Sequence, residues 1–262
     1  MADLSNKVAI VSGGATMIGW TAAQALRDAG AKVVLADIAD EEGERVADEL
    51  GPDVVYKSTD ITDDAQIDAC IASTVSEFGG VDCLINVACT YLDNGIDSTR
   101  DEWLTALNVN LVGGAIFSQK VAPQMRERGG GAIVNFGSIS GKIAQPGRML
   151  YAVSKAAIIG MTRNQALGLA ADKIRVNSVS PGWTWSNVIR DISGDNRANA
   201  DSIAAPLHPV GRLVEPGEVG ATVAYLCSDE ASGITGTDIA VDGGYTAIGP
   251  EQMVDQVSKL AE

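Results

Sequence analysis

Seven short runs rich in β-branched residues alternate with stretches of helical length, and this alternation restricts the chain more than any other feature. The runs are Lys7 to Ser12, Lys32 to Ala36, Val54 to Lys57, Val81 to Asn86, Gly131 to Gly137, Ile174 to Ser180 and Thr237 to Val241. Between them lie Thr16 to Ala29, Glu41 to Leu50, Asp63 to Phe78, Trp103 to Arg128, Tyr151 to Ala171 and Glu215 to Ser228, several with a glycine exit such as Gly30 or Gly51. Such strands, linked by helices that cross over right-handed, predict a doubly wound α/β fold: a seven-stranded parallel sheet with helices on both faces. A chain of 262 residues with 46% hydrophobic content can build one large core, so residues 1–262 are expected to form a single domain. Pro181 to Val214 has no periodicity and holds two tryptophans, the only histidine and three prolines. It is too long for an ordinary connection, and a substrate lid at about 182–214 is expected.

Charge narrows the partners. Nineteen Lys and Arg against 34 Asp and Glu give a net charge of −15, which lacks the basic footprint for nucleic acid or an anionic membrane and suits a small-molecule substrate. The segment Met1 to Lys7 has no charged-then-apolar export pattern, and no apolar run approaches a membrane span of about 18 residues, so a cytoplasmic location is expected. Cys70, Cys83, Cys89 and Cys227 lack paired metal spacing and read as reduced structural thiols, with no metal site.

Two motifs carry chemistry. Tyr151 and Lys155 stand at i and i+4 of a helical segment and so share a face, thirteen residues after Ser138 at the end of a strand-like run. A lysine ammonium beside a phenol stabilises the phenolate. Bringing a phenol from its ordinary pKa of about 10 to near neutrality takes about 4 kcal/mol, close to what one charge ~4 Å away supplies at an effective dielectric near 20. The second motif, Ser12-Gly13-Gly14-Ala15-Thr16-Met17-Ile18-Gly19, links the first strand to the first helix. There, glycines admit a pyrophosphate close to the backbone and the helix end offers free N–H groups. Asp37 ends the second strand, eighteen residues beyond Gly19, where a carboxylate accepts ribose hydroxyls and repels a 2′-phosphate. The alternative for Asp37 is a cap for the helix that follows.

On these residues the chain resembles the short-chain dehydrogenase/reductase family, from Lys7 to Gly244. The glycine loop is similar to Thr-Gly-x-x-x-Gly-Ile-Gly, with Ser12 for the threonine and Met17 for the middle glycine. Asn86-Val87-Ala88-Cys89 stands in place of Asn-Asn-Ala-Gly, and Ile234 to Gly244 resembles the C-terminal signature. The resemblance implies a Rossmann-type fold and the catalytic set Asn110, Ser138, Tyr151 and Lys155. It further implies a cofactor site of Ser12, Gly13, Ala15, Thr16, Met17, Ile18, Gly19, Asp37, Ile38, Asp60, Ile61, Asn86, Val87, Ala88, Tyr151, Lys155, Pro181, Gly182, Thr184 and Ser186, with Asp60 meeting the adenine ring or serving only a turn. The implied reaction exchanges hydride with NAD: Tyr151 takes the hydroxyl proton of a secondary alcohol, or returns it to the carbonyl in the reverse direction. Lys155 supports the phenolate and contacts the ribose, Ser138 holds the substrate oxygen, and the Asn110 carbonyl serves a proton relay. With NAD, alcohol oxidation is the expected direction. The family also implies a homotetramer, or a homodimer, built on the apolar helix from Ala152 to Ala171.

Substrate contacts are expected from Thr90, Ser140, Gln145, Arg148, Trp183, Trp185 and His208, with Tyr91 and Arg190 nearby. Arginine, glutamine and indoles suit a sugar or hydroxy acid, or the same residues serve loop packing. His208 as the base is a competing thought, set against its place between Pro206 and Pro209. The tail after Gly249, with Met253, Val254, Val257 and Leu260 in a weak helical pattern, reads as a surface or subunit-contact element. A different class of answer is a non-catalytic nucleotide-binding or sensor protein, in which Met17 and Cys89 mark a decayed site.

Overall fold

The computed structural model describes residues 2–249, and the tail pattern of Met253, Val254, Val257 and Leu260 lies outside them. Among the described residues the strands are β1 (Val8–Ser12), β2 (Lys32–Asp37), β3 (Val54–Ser58), β4 (Cys83–Asn86), β5 (Gly131–Phe136), β6 (Ile174–Pro181) and β7 (Asp238–Val241). All pair in parallel in the order β3-β2-β1-β4-β5-β6-β7. The helices are α1 (Met17–Asp28), α2 (Asp40–Leu50), α3 (Asp64–Phe78), α4 (Arg100–Leu107), α5 (Gly114–Glu127), α6 (Met149–Leu169), α7 (Asn187–Ile192), α8 (Arg197–Ala204) and α9 (Pro216–Cys227). This is the Rossmann-type doubly wound sheet that the alternation predicts.

The period of two explains why every strand needs helices on both sides. Ala9 and Val11 of β1 pack into one core layer with Leu26 of α1, Val46 of α2 and Val219 and Val223 of α9, while Ile10 packs into the other with Ile67 of α3 and Phe117 and Met125 of α5. Val33 and Leu35 of β2 join the first layer, and Val34 and Ala36 the second. Burying a side chain such as Phe117 or Leu26 contributes about 1.5–3 kcal/mol.

Strand order reverses between β1 and β4, whose last residues, Ser12 and Asn86, lie side by side. Parallel sheets of this kind bind ligands at that reversal, beyond the carboxyl ends of the strands. Asn86 pairs with Asn135 and Asn135 with Ser178, so the ends of β1, β4, β5 and β6 line one edge.

Two elements differ from the sequence reading. The long segment Trp103 to Arg128 begins earlier, at Arg100, where Thr99 and Glu102 form a capping box, and it is interrupted by a π-helical turn over Asn108–Gly113. Gly113 sits there against Ile61, where an added Cβ would meet the Ile61 carbonyl oxygen at 2.8 Å. The aperiodic stretch 182–214 contains α7 and α8, six and eight residues long, too short to display a helical period. Trp183, Trp185 and Ile189 pack with Ala200, Ala204 and Leu213 into a small cluster of their own.

Candidate active site

The glycine loop is held by sterics. Gly13 has φ +73°, and an added Cβ would lie 2.6 Å from the Ala88 nitrogen; at Gly19 it would lie 2.0 Å from the Gly13 oxygen. Thr16 caps α1 by accepting from the Gly19 N–H and donates its hydroxyl to the Gly13 carbonyl at 2.8 Å. Met17 is the first residue of α1, in helical geometry that needs no glycine, and its N–H donates to Asn187 Oδ1 of α7 at 2.8 Å. Ala15 is buried and Ile18 half-buried beside it. The departure from glycine at Met17 is therefore absorbed without distorting the turn, and backbone N–H groups still crown the helix.

The Asp37 carboxylate accepts the Ala15 N–H at 3.0 Å through one oxygen, and the Ile38 and Ala39 N–H groups at 2.7 and 3.1 Å through the other. The N-cap of α2 is Ala39, so Asp37 ties β2 to the glycine loop instead of capping that helix. Ile38 stands 71% exposed next to it, an apolar surface open to a ring. Asp60 accepts from the N–H and hydroxyl of Thr62, a turn-forming use of its side chain, and Ile61 packs against Gly113. The Val87 and Ala88 N–H groups both donate to the Ser12 carbonyl at 3.1 Å, which seats the β4 exit on the glycine loop. Asn86 donates to Gly114 O, Ser118 Oγ and Asn135 Oδ1, while its own buried Oδ1 has no partner among the described residues. That orphaned acceptor belongs to the wall of a small cavity shared with Ser12, Asn110 and Lys155. Glycine cradles that a Cβ would fill, crowning amides and the Asp37 carboxylate together fit a dinucleotide.

Beyond β5 the buried Ser138 accepts the Ser140 N–H at 3.1 Å, and Gly141 presses on α6 so tightly that a Cβ would sit 2.8 Å from the Ala156 nitrogen. This brings the serine turn onto the helix carrying Tyr151 and Lys155. Both side chains are buried, 8% and 3% exposed. Lys155 Nζ donates to the Phe136 carbonyl at 2.8 Å and lies 5.4 Å from the Tyr151 ring centroid. Among the described residues no carboxylate pairs with it. The Asn110 side chain is fully occupied: Oδ1 accepts Thr90 N–H at 2.6 Å, and Nδ2 donates to Thr90 O and Ser154 Oγ. It clamps the loop after β4 onto α6, while the π turn frees backbone groups around it.

That loop supplies one residue the sequence reading missed, Asp93, and gives Tyr91, expected only near the pocket, a definite contact. Asp93 Oδ2 accepts the Tyr151 N–H at 2.9 Å, capping α6 from outside because its own N-cap residue, Arg148, makes no side-chain cap bond. Tyr91 stacks on Tyr151 with ring centroids 5.0 Å apart and planes 22° apart. Desolvation, then the neighbouring Cys89 and Tyr151, push the Tyr91 phenol far above its ordinary range. No local pattern announces either contact, because each joins residues about sixty positions apart.

The expected substrate residues divide. Arg148 borders Tyr151, its guanidinium lying 5.7 Å from the ring centroid, and among the described residues it has no ion-pair partner, while Thr90 is held by the Asn110 side chain. Ser140 donates its hydroxyl to Gln145, so these two engage each other. Trp183 and Trp185 pack within the 182–214 cluster, Trp185 under the Arg197 guanidinium at 5.1 Å. His208 is 1% exposed, bonded through Nδ1 to the Ala204 carbonyl and wedged between Trp183 and Tyr245. Its place is in packing, which removes the competing thought of a histidine base. Pro181 ends β6, Gly182 abuts Asp242, Thr184 bonds the Gly182 carbonyl, and Ser186 caps α7, which leaves Arg190 near that helix's exit. Among the described residues no helix is long and apolar enough to cross a membrane, and the four cysteines are free.

A parallel sheet with a glycine turn at its reversal point and a buried Tyr–Lys pair beyond it defines a dinucleotide-dependent α/β protein. A family model described as Enoyl-(Acyl carrier protein) reductase matches residues 13–246. An uncharacterized oxidoreductase of Thermotoga maritima is 36% identical, over 93% of this chain and 97% of its own length. A 3-alpha-(or 20-beta)-hydroxysteroid dehydrogenase of Mycobacterium bovis is 39% identical over 93% and 91%, and a cis-4-hydroxycyclohexanecarboxylate dehydrogenase of Sinomonas cyclohexanicum is 34% identical over 93% and 98%. The chain belongs to the short-chain dehydrogenase/reductase family, oxidoreductases that use nicotinamide cofactors.

Proposed function

We propose that the protein is an NAD-dependent dehydrogenase that interconverts a secondary alcohol and its carbonyl compound, with Tyr151 as acid and base. The observation that carries this is the buried pair on α6, where Lys155, with no carboxylate partner among the described residues, places its ammonium beside the Tyr151 ring. When bound, the nicotinamide supplies the hydride acceptor. Tyr151 removes the substrate's hydroxyl proton, Lys155 balances the phenolate charge, and Ser138 hydrogen-bonds the reacting oxygen. Asn110 and Asp93 hold the phenol's surroundings in register. Ser12 to Gly19, Asp37, Ile38, Asp60, Asn86 to Ala88 and Pro181 to Ser186 surround the cofactor. A carboxylate at Asp37, with no lysine or arginine from residue 13 to 19 or 38 to 40, supports NAD over NADP.

A cyclic secondary alcohol is the substrate class we favour, since two relatives are named for hydroxylated ring compounds and Arg148 offers a cation for an acidic substituent. The 182–214 segment serves as the lid, tied to the glycine loop through Asn187. Exposed Leu104, Val112, Val153 and Leu167 on α4 to α6 support a homotetramer, which sedimentation of only monomer would refute. Free thiols suit a reducing cytoplasm. The test is NADH formation from NAD⁺ across a panel of cyclic alcohols, hydroxy acids and sugars, alongside NADH titration. Saturable NADH binding with no turnover on any of them would favour a nucleotide-binding protein without catalysis.

A further inference from the structure

Tyr151 has neighbours from several elements: Lys155 of its own helix, Arg148 just before that helix, and Tyr91 and Asp93 of the loop after β4. Of these, Tyr91 alone places an aromatic ring parallel to it, 5.0 Å away, and Tyr91 is 49% exposed. Tyr91 is therefore a half-exposed aromatic surface next to the Tyr151 ring, available to the carbon skeleton of a substrate whose hydroxyl reaches the Tyr151 oxygen. Resting on the function proposed above, we infer that Tyr91 is a specificity-determining residue, whose flat ring selects alicyclic secondary alcohols over acyclic ones of equal carbon number.

The physical reason is rigidity matched to a rigid wall. Tyr91 is held by its stack on Tyr151 and by the clamp of Asn110 on the preceding Thr90, so it is preorganised. A carbon ring covers such a surface without freezing internal rotations, whereas an open chain must order several to make the same contact. A tyrosine phenol is neutral near pH 7, and desolvation pushes that of Tyr91 further up, so the ring acts as a neutral wall.

The test compares kcat/KM for cyclohexanol and 2-hexanol with NAD⁺ in wild type, Tyr91→Phe and Tyr91→Ala. Wild type is expected to prefer cyclohexanol by about tenfold or more, Tyr91→Phe to keep that preference, and Tyr91→Ala to bring the ratio near one through a higher KM for cyclohexanol. NADH binding should be unchanged in both variants; if the alanine variant, which loses the stack on Tyr151, is unstable, Tyr91→Leu fills the space without a flat face and should lose the preference equally. A ratio unaltered by Tyr91→Ala or Tyr91→Leu, or a wild type favouring 2-hexanol, overturns the role of Tyr91 while leaving the dehydrogenase intact. A wild type that binds NADH yet oxidises neither alcohol overturns both.

Discussion

The half of the sheet edge formed by β1, β2 and β4 and the half formed by the loops beyond β4, β5 and β6 are held by different forces. In the first, backbone fits backbone: Gly13 against Ala88, Gly19 against Gly13, and an aspartate, Asp37, that takes the Ala15 amide of the glycine loop and the two amides that follow Asp37 in the chain. In the second, side chains from distant segments meet, such as Tyr91 on Tyr151, Asp93 under α6 and Asn187 on the glycine loop. Backbone fits leave no room for substitution, whereas side-chain meetings can be rebuilt. The cofactor half should therefore fail outright when altered, and the substrate half should shift in preference.

The largest effect is expected where the backbone fit is closest. Gly19→Ala puts a methyl group 2.0 Å from the Gly13 oxygen, so the loop must open: calorimetry of NADH binding should find none, with stability lowered by about 3 kcal/mol. Unchanged binding would show that this half tolerates rebuilding after all. Next, Asp37→Ser removes the carboxylate while sparing the turn, and the preference for NAD⁺ over NADP⁺ in kcat/KM should fall by about 100-fold. Crossing to the other half, Asn110→Ala strands the N–H and carbonyl of Thr90 and should cost about 1–2 kcal/mol in urea unfolding. An undiminished unfolding midpoint would mean that the loop after β4 does not depend on this clamp.

The smallest effect lies where the 182–214 segment joins α9. Arg212, bonded to Glu218, holds that carboxyl down at about 2 from its usual 4.5. A depressed carboxyl stabilises the fold fully above about pH 4.5, and this contribution disappears as pH falls through about 2. The pair is solvent-exposed, so it is worth only about 0.5 kcal/mol. Thermal melts of Glu218→Gln should trail wild type slightly at pH 6 and match it near pH 2; a gap that widens on acidification would contradict the assignment.

The same division explains what the sequence discloses. All seven strands sit where β-branched runs predict them, because burial on both faces writes a continuous apolar signal. Gly13, Gly19 and Asp37 are legible because a tight turn admits few residue types. The π turn at Asn108–Gly113 is hidden inside an unbroken helical pattern, and α7 and α8 are too short to show a period. Tyr91 and Asp93 carry no local signature, since what makes them matter is a helix that begins at Met149. Trp185 and His208 show the complementary case: aromatic and titratable side chains attract a chemical reading, and the packing that surrounds them, the small cluster for Trp185 and Tyr245 for His208, leaves no trace in the local sequence.

The two halves meet at Tyr151, to whose oxygen the proposed reaction assigns the proton transfer. Turnover of a cyclic secondary alcohol by Tyr151→Phe, measured beside NADH binding by the same protein, tests this most directly. Turnover should drop by about 10³-fold with binding intact, whereas a variant that keeps wild-type turnover would show that another group moves the proton.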